Sequence, residues 1–213
     1  MAARDYGQYS GITRAMELVG ERWALLIVRD LLVGPRRYGE LAGGLPRIPT
    51  NILAARLKEL QAAGVIRRVP HSRVIVYELT AFGRELEPVV LALGAWGFKA
   101  LGDPRDEQVI TPDSMTIDLR TAFRPLVAAD LPATAYAARL GPTELLIRVA
   151  GSTLDVTRGD GPADLSFAAG AEIRRLISGE LSPGLAIETG VVEVLHGHGD
   201  LLARFASTFH LAA

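Results

Sequence analysis

In residues 50–58, TNILAARLK, the polar and small side chains alternate with large apolar ones at helical spacing. Leu53, Leu57 and Leu60 share one face, which turns Thr50, Asn51, Ala54, Ala55 and Lys58 outward. That mixture suits base reading. A carboxamide such as Asn51 can bond adenine at two points, and alanines let a helix come close to a groove. Arg56 lies on the flank, within reach of a phosphate or of a protein carboxylate. Arg36, Arg37, Arg47, Arg67, Arg68 and Arg73 surround the segment, and between Arg36 and Arg84 there are nine basic and three acidic residues. A polyanion is the partner that such a stretch selects.

Other chemistry is poorly served. The chain has no cysteine, which excludes disulfides, thiol catalysis and cysteine-ligated zinc. His196-Gly197-His198 with Asp200 offers metal-ligand types, but turn histidines are usually solvated. Gly197-x-Gly199 and Gly159-x-Gly161 lack the third glycine and the βαβ setting of a dinucleotide site. The sequence contains no Gly-x-Ser-x-Gly, no His-Glu-x-x-His and no P-loop. The expectation is a protein that is not an enzyme and needs neither cofactor nor metal.

The elements that must carry the outward face follow in order. Ile12, Met16, Val19, Trp23 and Leu26 keep helical spacing, and Gly20 splits them into two helices. Gly34-Pro35 ends the second, a short helix runs from about Arg37 to Gly43, and Pro49 opens the helix bearing Asn51, which stops at Gly64. Val65 to Val69 and Val74 to Leu79 are β-branched runs around Pro70-His71-Ser72-Arg73, a hairpin. Thr80 caps a further helical stretch. Its apolar residues Phe82, Leu86, Val89, Leu93, Trp96 and Ala100 form a seam able to meet another helix, with Pro88 kinking it or starting a new one.

This order is that of a winged helix-turn-helix: the helix of Asn51 enters the major groove while the preceding helix crosses the backbone. The expected DNA contacts are Arg37, Pro49, Thr50, Asn51, Ala54, Arg56, Lys58, Arg68, His71 and Arg73.

Charge divides the chain as well. Residues 1–102 carry 14 basic and 9 acidic side chains, a net of +5, and residues 103–213 carry 9 and 15, a net of −6. A Gly, Pro and charge cluster at Gly102 to Glu107 marks the boundary. The expected organisation is 1–102 for DNA binding and dimerisation, 103–112 as linker, and 113–213 as a second domain. There Met115-Ile117-Leu119 alternates like a strand. Ala135 to Arg139, Leu145 to Val149, Leu154 to Thr157, Asp164 to Ala168 and Val191 to Leu195 read as further strands, with helices at Glu172 to Gly179 and Leu201 to Leu211. The fold class is α+β, with a mainly antiparallel sheet in the second half.

Residues 10–100 resemble HxlR-type transcriptional regulators, winged-helix proteins related to the MarR group. The resemblance is carried by Arg14-Ala15, Gly20-Glu21-Arg22-Trp23-Ala24-Leu25-Leu26-Ile27, Gly34-Pro35-Arg36-Arg37-Tyr38-Gly39-Glu40-Leu41 and the Leu53 to Leu60 pattern with Gly64. Tyr77-Glu78-Leu79-Thr80, Gly83, Leu86, Pro88 and Trp96 complete it. It implies a homodimer built from the first and last helices of the domain, bound to a roughly palindromic operator, with Phe82, Leu86, Val89, Leu93 and Trp96 in the interface. Many relatives carry a cysteine shortly before the Arg14-Ala15 position; Ser10 stands there, so redox sensing at that residue is excluded. The hairpin also looks a few residues shorter than usual.

Residues 113–213 resemble, less specifically, a sterol carrier protein-like domain. The likeness rests on the alternating strands, Ala171 to Gly179, Leu185 to Val194, and Asp200 to Phe205 with Phe209. It implies an apolar cavity for a small hydrophobic ligand, with Phe123, Tyr136, Phe167, Phe205 and Phe209 as candidate lining. The start, MAARDYGQY, has no secretory leader pattern, and no apolar run approaches the roughly 18 residues of a membrane helix.

Taken together, the expectation is a bacterial, cytoplasmic, homodimeric repressor that binds an operator and responds to a hydrophobic ligand. The alternative is a lipid or hydrophobic-ligand carrier without operator-specific binding.

Overall fold

The computed structural model describes residues 5–105 and 107–212; residues 1–4 and Asp106 of the expected boundary cluster lie outside them. The chain forms two compact units, 1–90 and 91–213. The division by contacts falls inside a helix, because Phe98 packs against the core of the second unit and Gly94 sits against Thr121.

The first unit begins with α1 (Gly11–Val19), α2 (Ala24–Val33), α3 (Tyr38–Gly44) and α4 (Thr50–Ala62). Gly20 does separate the first two helices. A Cβ there would lie 2.5 Å from the Met16 carbonyl oxygen. Trp23, which precedes α2, holds a left-handed φ of 79°, uncommon for a bulky residue. The Arg22 guanidinium stacks over its ring at 5.1 Å. Ile27, Val28 and Leu31 of α2, Leu41 of α3 and Leu53, Leu57 and Leu60 of α4 are all buried.

Helix α4 ends in a Schellman motif. Gly64 takes φ +71°, its N–H donates to the Gln61 carbonyl at 3.1 Å, and the Val65 N–H donates to Leu60 at 3.0 Å. The hairpin follows as β1 (Ile66–His71) and β2 (Val74–Leu79). Its register pairs His71 with Val74, so the turn is only Ser72-Arg73, tighter than the four residues expected. Pro70 is tolerated within β1 because that strand is the outer edge. The inner edge of β2 takes Arg36, whose N–H donates to the Tyr77 carbonyl at 3.0 Å and whose carbonyl accepts from the Tyr77 N–H at 2.8 Å.

Thr80 fastens the far end of this hairpin. Its N–H donates to the Val65 carbonyl at 3.0 Å, and its hydroxyl donates to the Gly64 carbonyl at 2.6 Å and accepts from the Gly83 N–H at 3.0 Å. The expected seam is two helices, α5 (Ala81–Arg84) and α6 (Glu87–Phe98), with Pro88 in the first turn of the second.

The second unit contains α7 (Pro112–Ala122), α8 (Pro125–Ala129), β3 (Thr134–Leu140), β4 (Thr143–Ala150), β5 (Thr153–Arg158), β6 (Leu165–Ala169), α9 (Ile173–Ile177), α10 (Pro183–Glu188), β7 (Val192–His196) and α11 (Asp200–Thr208). The sheet order is β5-β4-β3-β6-β7. Three of its pairings are antiparallel and β3 runs parallel to β6.

The strand expected at Met115 to Leu119 is helix α7. Thr111 caps it by accepting from the Ser114 N–H at 3.2 Å, and Pro112 occupies its first position. Met115, Leu119 and Ala122, spaced i, i+4, i+7, face the core, while Ile117 is buried on a second side. Burial on two sides produced the alternation. Asp113, also buried, is held by Arg158 at 2.6 Å.

Alternate residues of β3 (Tyr136, Ala138, Leu140) and β4 (Leu145, Ile147, Val149) join the helices in one core. Tyr136 and Phe167 both place their rings edge-on to Phe205, with centroids 5.2 and 5.3 Å away, and Phe209 lies 4.7 Å from Phe205. Phe123 is 5.9 Å from Phe209.

Two outcomes follow. Gly83→Ala would place a Cβ 2.0 Å from the Val65 carbonyl oxygen. That backbone cannot give way without opening the hairpin junction, so the substitution destabilises by about 1–3 kcal/mol or more, read from the urea midpoint. Burial pushes the Tyr136 phenol up to about 12. A raised folded-state value leaves its stabilisation intact below the ordinary value near 10 and removes it as pH rises through about 12. Ultraviolet titration of Tyr136→Phe loses that late phenolate step.

Candidate nucleic-acid interface

Helix α4 presents the face expected of it. Thr50, Asn51, Ala54 and Lys58 are exposed, as is Pro49 before them, while Ala55 is half-buried. Gln61, three residues beyond Lys58, extends the same exposed stripe. A side-chain bond ties the start of this face to α3. The Tyr38 hydroxyl, on the first residue of α3, donates to the Thr50 carbonyl at 2.8 Å, tying the starts of the two helices together. Glu40 accepts from the Arg37 N–H at 2.6 Å and closes the first turn of α3.

Arg56 does not reach outward. Its side chain is 13% exposed and pairs with Glu21 at 3.2 Å and with Glu59. It braces α4 against the segment leading into α2. Glu21 and Glu59 lie close enough to take its charge, and burial makes leaving them costly. Trp23, Arg22, Arg47 and Ile52 line a groove beside this pair at the start of α4.

The wing supplies Arg68 and His71, both exposed on β1, and Arg73 at the turn, where Ser72 takes φ 54°. Arg67 is committed across the hairpin to Glu78 at 2.6 Å. All three acidic residues of the Arg36 to Arg84 stretch are therefore engaged locally: Glu40 by a backbone N–H, Glu59 by Arg56 and Glu78 by Arg67. Arg37, Arg47, Lys58, Arg68 and Arg73 remain exposed around α4. Exposed basic side chains therefore outnumber unengaged acidic ones in this stretch.

These features place the site within a winged helix-turn-helix, and the comparisons agree. Residues 18–104 match the family described as HxlR-like helix-turn-helix. The HTH-type transcriptional regulator YvaP of Bacillus subtilis is 37% identical over 86 residues, covering 39% of this chain and 80% of that protein. The chain belongs to the HxlR-like helix-turn-helix family. An HTH-type transcriptional regulator of Mycobacterium tuberculosis is 41% identical over 112 residues, 51% of this chain and 65% of the relative. The chain thus spans just under two thirds of that mycobacterial protein. The crystal structure of the HTH-type regulator YtcD aligns with a TM-score of 0.41 and 34% identity, over 45% of this chain and 100% of the other. The family match ends at residue 104, so residues 105–213, most of the second unit, lie outside it.

The seam of this HxlR-like chain leaves large apolar side chains at its surface. Phe82, Val89 and Leu93 are exposed, Trp96 is 75% exposed, and Leu86 is half-buried. Near α1, Tyr9, Ile12 and Met16 are exposed too. In the second unit, Tyr136, Phe167, Phe205 and Phe209 are fully buried and packed ring against ring. These four fill the core instead of lining an open cavity, and Phe123 packs partly buried at its edge. His196, His198 and Asp200 are exposed, and no group of three metal-ligating side chains occurs among the described residues. Among those residues no helix is long and apolar enough to cross a membrane.

Tyr38 and Glu21 are the positioning residues that spacing alone did not single out. Their signal, an aromatic hydroxyl and a carboxylate just outside the helices they brace, acquires meaning only once partners are placed. Arg56→Ala leaves two carboxylates facing one another in a half-buried site. It should lower stability by about 1–3 kcal/mol, whereas Lys58→Ala, exposed on the same helix, leaves the thermal midpoint nearly unchanged.

Proposed function

We propose that this chain is a DNA-binding transcriptional regulator that acts as a homodimer on a roughly palindromic operator, as a repressor, with the second unit responding to a small hydrophobic molecule. The observation that carries the reading is the face of α4. Small and amide side chains stand at its centre, and exposed cations ring it, with every neighbouring acid already engaged.

Thr50, Asn51 and Lys58 set specificity, with Ala54 and Pro49 permitting close approach. Arg37, Arg68, Arg73 and His71 contribute affinity through phosphates. The dimer reading rests on Phe82, Leu86, Val89, Leu93 and Trp96. A row of large apolar side chains left at the surface marks an interaction face, and a second copy of the same seam is its natural cover. Two-fold pairing would set recognition helices about 34 Å apart on one face of the duplex. Occupying the operator in this way blocks its use by other proteins.

The test is fluorescence anisotropy with duplex DNA from upstream of the protein's own gene, repeated at several salt concentrations. The expected preference over random DNA is about 10³ or more, with a log–log salt slope near −0.9 per phosphate neutralised. Asn51→Ala should cost about 1–3 kcal/mol and relax specificity at one position, while Arg37→Ala weakens all sequences about equally. An Asn51→Ala variant with unaltered affinity and specificity removes α4 as the reading helix. Absence of DNA binding even at low salt leaves a hydrophobic-ligand carrier as the function.

A further inference from the structure

The filled aromatic core moves the question of a ligand elsewhere in the second unit. A cleft of about 200 Å³ opens where Phe98, Val109, Ile110, Met115, Ile173 and Ile177 converge. Val109 and Leu101 at its rim are more than half exposed, so the cleft wants apolar cover. One cation lines it. Arg174 on α9 is only 12% exposed, and its hydrogen bonding is uneven.

Glu180 holds one edge of the guanidinium with two bonds, Oε1 to Nη1 at 2.6 Å and Oε2 to Nη2 at 3.2 Å. The other edge, Nε with Nη2, is half used. Asp103 takes only Nη2, at 3.2 Å, while Nε is buried with no hydrogen-bond partner among the described residues. A buried donor left unpaired is costly, and the Nε–Nη2 edge is a fork that a carboxylate fits with two parallel bonds. The Asp103 side chain is 85% exposed, so giving up its single bond returns it to water at little cost.

We propose that this cleft binds a small amphipathic monocarboxylic acid. Its carboxylate displaces Asp103, takes Nε and Nη2 of Arg174 together, and lays an apolar tail against Met115, Ile110 and Ile177. The volume is below the roughly 300–1,000 Å³ of drug-sized sites, which limits the tail to a short chain or a single ring. Asp118, exposed on the α7 wall, disfavours a second carboxylate on the ligand. Displacing Asp103 also unties the segment between α6 and α7 from α9. The site thereby identifies the class of effector for the ligand-responsive regulator proposed above, and only its consequence for DNA rests on that reading.

Calorimetric titration of the full chain with octanoate, octan-1-ol and octanedioate tests the site. Octanoate should bind at least about tenfold more tightly than the alcohol, because the alcohol cannot make the charged fork. Octanedioate should bind more weakly than octanoate. Asp103→Asn, at an exposed position, should tighten octanoate binding several-fold. Arg174→Lys, which keeps a cation for Glu180 but has no fork, should reduce octanoate to the level of the alcohol. Equal affinity for octanoate and octanol, no binding of either, or an Asp103→Asn variant that binds octanoate no better overturns the proposal. Octanoate binding with the expected response to Asp103→Asn but with unchanged DNA affinity upholds the site and removes the regulatory reading.

Discussion

The hydroxyl of Thr80 holds together α4, the hairpin and the helix that follows them. It joins the exit of α4, through the Gly64 carbonyl, to the entry of α5, through the Gly83 N–H. The backbone bond from Thr80 to Val65 closes the hairpin between them. Because Gly83 lies against the Val65 carbonyl, nothing larger than hydrogen fits at that crossing. The angle between α4 and the hairpin is therefore a property of short, directional bonds. Were it set only by apolar packing, Arg68, His71 and Arg73 would drift relative to Asn51.

Arginine does two kinds of work in this molecule, and burial separates them. Arg56 and Arg174, both little exposed, each face two carboxylates, and Arg29 pairs with the fully buried Asp30 at 2.7 Å. A guanidinium taken from water needs such partners, since its desolvation exceeds what one loose contact returns. Arg37, Arg68 and Arg73 keep their hydration and remain available to a polyanion. Counting basic residues along the sequence merges the two groups. The count of nine between Arg36 and Arg84 overstates the cations left for a ligand, while the engagement of all three acids there keeps the face positive.

In the second unit the helices and strands share an apolar vocabulary, and this is where a reading by period fails. Met115-Ile117-Leu119 alternates because α7 is buried on two sides, and the decisive sign was the Thr111-Pro112 start ahead of it. Of the five aromatics expected to line a cavity, three (Tyr136, Phe167 and Phe209) pack their rings around a fourth, Phe205. Their composition would serve a cavity or a solid core equally well. Only the distance between facing elements distinguishes the two, and no local pattern records that distance.

Much of the first unit was legible because its signals are local and agree with one another. Glycine at the end of α4, proline at its start, leucines at 53, 57 and 60, and β-branched runs around a short turn each act within a few residues. The division at Gly20 and the exposed face of Thr50, Asn51, Ala54 and Lys58 were fixed in the same way. Tertiary structure alone decided that Arg56 is a brace, that Tyr38 orients α4, that the units divide within α6, and that Arg174 keeps one edge of its guanidinium half used. Each depends on which distant residue arrives within about 3 Å, the range in which hydrogen bonds and ion pairs act, and a sequence specifies such meetings only through the whole fold.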